Sequence, residues 1–127
     1  MINKKDSIRT DASSIESFIG PNTFIKGDIK FTGDKIKIDG SVEGRIDSKK
    51  SSVIIGQEGS VHATIFAKEL IVAGSVEGDI VIEDLIDLHA GGSIDGHVKS
   101  KKIKVEEGAV LDGIIEIGYK SKEEKTE

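Results

Sequence analysis

Three histidines, His62, His89 and His97, are the side chains of this 127-residue chain best suited to metal binding or proton transfer, and Glu77, Asp95 and Asp112 are acidic residues that recur at equivalent positions. A metal or general-base site needs such groups gathered in space. Thiol nucleophiles, disulfides and Cys-ligated zinc or iron–sulfur centres are excluded, because the chain has no cysteine. No Walker A loop, dinucleotide glycine fingerprint or HExxH motif occurs, so nucleotide dependence is not expected. His62 and His97 flank a small residue, Ala63 and Gly96, in a pattern that points them outward. The expectation is therefore surface histidines, with no catalytic, cofactor-binding or metal-ligating residue and no enzyme activity.

Any such group is positioned by a repeat. The pattern apolar, any, small, any, apolar appears as Ile25 to Ile29, Val42 to Ile46, Val61 to Ile65, Val76 to Ile80, Ile94 to Val98 and Leu111 to Ile115. Its small residue stands at 27, 44, 63, 78, 96 and 113, at intervals of 17, 19, 15, 18 and 17. Between the copies lie the pairs Ile36/Ile38, Val53/Ile55, Leu70/Val72, Ile86/Leu88 and Ile103/Val105, which keep the same period. Apolar residues alternating with polar ones indicate strands buried on one side, and Gly40, Gly59, Gly74 and Gly92 mark corners.

Short strands and glycine corners at this spacing predict an all-β chain, a parallel β-helix of about six coils. The wandering interval tolerates corner insertions, which favours a right-handed helix of triangular cross-section over the strict left-handed hexapeptide type. Phe31, Phe66 and Ile82 are candidates for the third face. Composition agrees: 15 glycines, one proline, four Phe, one Tyr and no Trp suit a narrow core of stacked branched aliphatics. Glu77, Asp95 and Asp112 then form one outward column, a solvated acidic stripe; the turns are too short to wall a groove of the kind found in β-helical pectin-degrading enzymes.

The chain carries 18 Lys+Arg against 23 Asp+Glu, a net charge of −5, so a nucleic-acid partner is not expected. No apolar run approaches the ~18 residues of a membrane span, and the start lacks the apolar stretch of a signal peptide. Residues 1–17 and 119–127 are polar, without strand or helix period, and read as disordered tails around a folded unit of residues 18–118. The ends of that unit look unprotected, and an uncapped strand edge polymerises. Phe18, Phe24 and Phe31 crowd into the first coil, and Leu111, Ile115 and Ile117 lie in the last. These six are the expected polymerisation contacts.

The run Phe18-Ile19-Gly20-Pro21 followed by Ile25 to Ile29, then Ile38 to Gly44, Ile54 to Gly59, Val72 to Ile80 and Ile103 to Gly113 resembles the bactofilin family over roughly residues 18–117. That resemblance implies bacterial cytoskeletal filaments built without nucleotide from right-handed β-helices that meet head to head and tail to tail. It implies a cytoplasmic scaffold for cell-wall or envelope proteins, with a role in cell shape. Many members also touch the inner membrane through a short N-terminal motif; Met1, Ile2, Lys4 and Lys5 occupy the matching positions, with Ile2 in place of the common Phe and Asn3 in place of Ser or Thr. Leu111 stands where the family often has Phe. The readings set against this are a non-polymerising adaptor that binds a partner through its strand edges, and a small β-helical enzyme or ligand binder.

Overall fold

The computed structural model describes Ile15 and residues 17–118. Eight strands follow one another: β1 (Ser17–Ile19), β2 (Phe24–Lys30), β3 (Lys35–Ile38), β4 (Ser41–Ile55), β5 (Ser60–Val72), β6 (Ser75–Leu88), β7 (Ser93–Val105) and β8 (Val110–Ile117). All pairings are parallel, in the order β1-β3-β4-β5-β6-β7-β8 with β2 on β4. Each strand thus pairs with the stretch one repeat away, and the chain is an all-strand β-solenoid of about six turns. Among the described residues there is no helix.

Register explains the apolar period. Val42 stacks on Val61, Val61 on Val76, Val76 on Ile94 and Ile94 on Leu111. A second ladder runs Ile29, Ile46, Ile65, Ile80, Val98, Ile115, and a third Ile38, Ile55, Val72, Leu88, Val105. Branched side chains repeat because like meets like on adjacent rungs. Each fully buried Val, Leu or Ile stabilises the coil by about 1.5–3 kcal/mol.

The uneven interval is a matter of corners. One corner takes two residues at 39–40 and 73–74 but four at 56–59, 89–92 and 106–109. Ladder bonds resume past either length: Gly56 N donates to Ile38 O and Ser60 N to Gly40 O across a long corner, Ala73 N to Ile55 O and Ser75 N to Gly59 O across a short one. A second corner varies too, and the register shifts there between Ser48 and Ser52, Ala67 and Glu69, and Ile82 and Leu85. Phe66 is not on the inner face as its spacing suggests, because it directly follows inward Ile65 in a strand that alternates in unbroken register through Ala67. Ala67 takes the inward place, 3% exposed, while the Phe66 ring lies outside with the Arg45 guanidinium 4.8 Å from its centroid.

The small column is built from glycine for a backbone reason. Gly78 has φ 136° and Gly96 φ 137°, a region that L residues rarely enter. A Cβ on Gly78 would also collide with the carbonyl oxygen of Ala63 in the preceding coil. Ala63 occupies this column without a positive φ. Pairing is interrupted there: it runs to His62 and Glu77 and resumes at Ile65 and Ile80.

Candidate functional site

Among the described residues the core is sealed in its middle and open at both ends. Ile46, Ile65, Ile80 and Val98 are each 0% exposed, whereas Ile29 and Ile115, which end the same ladder, are only partly buried. Ile19, Ile25 and Phe31 behave likewise at the N-terminal face, and Ile103 and Leu111 at the C-terminal face. Among the described residues β2 pairs only with β4, and β8 only with β7. The backbone groups on the far side of these strands face outward along the solenoid axis, ready to accept another strand.

The six expected contacts all fall on these two turns but have different roles. Phe31 packs against the core at one end, and Leu111 and Ile115 do so at the other. Ile117 continues an inward column above Ser100 and is 64% exposed. Phe18 and Phe24 are 58% and 61% exposed, and their register partners Lys37 and Ser41 place them on outward columns. They therefore rim the first turn rather than plug its interior, with Lys37 Nζ 6.0 Å from the Phe18 centroid.

Two further exposed apolar residues, Val110 and Ile114, escaped the sequence reading as contacts, while Val105, which ends an inward ladder, is 50% exposed. Val110 stands over Ser93 and Ile114 over His97, outward columns that are polar in the coil beneath. Phe24 over Ser41 follows the same rule at the other end. The signal was available: in an alignment of the coils, the outward columns that hold Phe24, Val110 and Ile114 turn apolar only at the first or last turn.

The histidines are drawn into pairs that cross rungs. His62 Nε2 lies 2.7 Å from Glu77 Oε1, and His97 Nε2 lies 3.0 Å from Glu116 Oε2. His89 is held from both sides, Nδ1 3.3 Å from Glu106 Oε2 and Nε2 3.6 Å from Asp87 Oδ2, and Ala90 N donates to Glu106 Oε1 at 3.0 Å. Asp87, His89 and Glu106 offer three ligand atoms close together. Both ring nitrogens already face carboxylates, so the cluster joins two adjacent corners electrostatically. Glu77, Asp95 and Asp112 form the expected outward column, all exposed. The surface hollow lined by Lys30, Phe31, Thr32, Asp47, Lys49 and Lys50 has one carboxylate beside three lysines and brings no nucleophile to a base.

Among the described residues no helix is long and apolar enough to cross a membrane. Met1, Ile2, Lys4 and Lys5, the expected membrane contacts, and most of the two polar tails lie outside the described residues.

Residues 17–116 match the family model for bactofilins, described as polymer-forming cytoskeletal. Bactofilin BacO of Myxococcus xanthus (strain DK1622) is 32% identical over 104 residues, covering 82% of this chain and 81% of that protein. Bactofilin BacP of the same organism is 29% identical over 101 residues, 79% of this chain but 41% of its own length. No solved structure matches.

Proposed function

The chain belongs to the bactofilin family of polymer-forming cytoskeletal proteins, and from that premise we propose that it assembles end to end, without nucleotide, into non-polar filaments with head-to-head and tail-to-tail junctions. The observation that carries this reading is the pair of open ends: ladders fully buried in the middle coils emerge part-covered at Ile25, Ile29 and Phe31 on one face and at Leu111 and Ile115 on the other, beside the exposed Ile117. Stacking a second copy on either face buries that apolar surface and offers partners to the free strand edge. The filament works in the cytoplasm as a scaffold for cell-envelope or cell-shape proteins. Its N-terminal residues Met1, Ile2, Lys4 and Lys5 touch anionic lipid; each tail alone binds marginally, and the filament makes the attachment multivalent.

Electron microscopy of the purified full chain, free of nucleotide, tests the assembly. Filaments are expected over a range of salt, and a chain that stays monomeric throughout overturns the reading. Flotation with anionic vesicles tests the tail, since deletion of residues 1–5 is expected to leave filaments at the bottom of the gradient. Equal flotation of the shortened chain would overturn the membrane contact.

A further inference from the structure

The N-terminal face is complementary to itself. Its turn bends at Gly27, where φ is 137°. Exposed Lys26 and Asp28 flank the glycine; part-buried Ile25 and Ile29 stand two residues out, and Phe24 and Lys30 three out. The flanking residues thus mirror one another in burial and are opposite in charge next to the glycine. A second copy approaching antiparallel, with a two-fold axis through Gly27, sets Ile25 against Ile29 of the second copy, Lys26 against its Asp28, and Phe24 against its Lys30. The symmetry makes each contact twice.

The rung beneath extends the pattern. Lys26 stands over Glu43 and Asp28 over Arg45. Read across such a junction, one column runs Glu43, Lys26, then Asp28 and Arg45 of the second copy, alternating in sign throughout. Every charge next to the glycine gains an opposite neighbour, and the aromatic ring gains a cation.

The C-terminal face lacks this match. Around Gly113 the flanking residues are Asp112 and Ile114, then Leu111 and Ile115, then Val110 and Glu116. The same operation keeps the aliphatic contact but sets Asp112 against Ile114 and Glu116 against Val110. Asp112 also stands over Asp95, a charge of the same sign. One face joins through apolar contacts and paired charges, the other through apolar contacts alone.

Resting on the end-to-end assembly proposed above, we infer that the N-terminal faces of two copies form a two-fold dimer locked by reciprocal Lys26–Asp28 pairs, and that this dimer is the unit the filament adds and sheds. Head-to-tail stacking is the competing geometry. It sets Lys26 on Asp112 and Lys30 on Glu116 but leaves Asp28 against Ile114.

Sedimentation velocity on the full chain separates the two. Leu111→Arg weakens the C-terminal face and with it both tail-to-tail and head-to-tail contacts, so below its raised critical concentration this variant is expected to run as a dimer; a monomer at micromolar concentration overturns the inference. In that background Lys26→Asp or Asp28→Lys is expected to raise the dimer dissociation constant at least tenfold, and the two together to restore it. Both side chains are exposed, and circular dichroism checks that each variant keeps its strands. Failure of the double variant to recover, or recovery of Lys26→Asp filaments by Asp112→Lys with an otherwise native C-terminal face, overturns the two-fold dimer. Absence of filaments from the unaltered chain is a separate result, which overturns the assembly itself.

Discussion

Leu111→Arg is the sharpest perturbation of the C-terminal face. Leu111 stacks on Ile94, which is 0% exposed, and is itself only partly buried, with the side facing the next rung left open. Full burial of a leucine is worth about 1.5–3 kcal/mol. With one side already covered, a junction adds roughly half of that, ~0.8–1.5 kcal/mol per copy. A tail-to-tail junction contains two copies, so the substitution removes about 1.5–3 kcal/mol, a roughly 10- to 100-fold weaker junction at 1.4 kcal/mol per tenfold. Desolvation of two guanidinium groups adds to that loss. The fold is expected to survive, because the fully buried ladders lie in the coils below. The assay is the critical concentration for pelleting, measured beside a thermal melt followed by circular dichroism. A normal melt with an unchanged critical concentration refutes the reasoning, since it means that Leu111 faces solvent in the filament.

Three other substitutions probe other links. Gly78→Ala forces a Cβ into a backbone of φ 136° and against the Ala63 carbonyl; at about 1–3 kcal/mol it is expected to lower the melting temperature by at least ~4 °C, and an unchanged melt contradicts the account of the small column. Ile80→Ala, at a 0% exposed position in a continuous ladder, is expected to cost about 2–5 kcal/mol, measured by denaturant unfolding under conditions that keep the chain unassembled. Ile114→Asp changes a 64% exposed side chain, so the melt of the unassembled subunit is expected to hold while the critical concentration for pelleting rises; a fall in both together contradicts its placement at a junction.

The inward ladders were legible because stacking repeats the same residue class at the same phase, and Val42, Val61 and Val76 announce one another. Corner lengths were less so. The one-residue difference between Phe66 and Ala67 reverses inside and outside, and alternation from buried Ile65 decides it, since the pairing holds its register through Ala67 and shifts only beyond. Ser100 is a related case: the structure buries this serine fully, its hydroxyl donating to Lys102 O at 2.8 Å. That bond satisfies a polar atom within an apolar ladder between Ile82 and Ile117. The end faces were legible in their aliphatic members, and the rim of Val110 and Ile114 was not. A lone exposed valine or isoleucine carries no signal until it is compared with the serine and histidine one coil away. The histidine–carboxylate pairs were hidden for the same reason, since His97 and Glu116 are 19 residues apart and meet only through the register.

The central claim is that the open ladders continue from one subunit into the next. Cryo-electron microscopy of nucleotide-free filaments measures this directly. The account predicts rungs at about 4.8 Å along the filament axis, running through the junctions without a gap. Subunits of roughly 30 Å should alternate in direction, giving a repeat of about 60 Å. Filaments whose solenoids pack side by side, with Ile25, Ile29, Leu111 and Ile115 left in solvent, would contradict it.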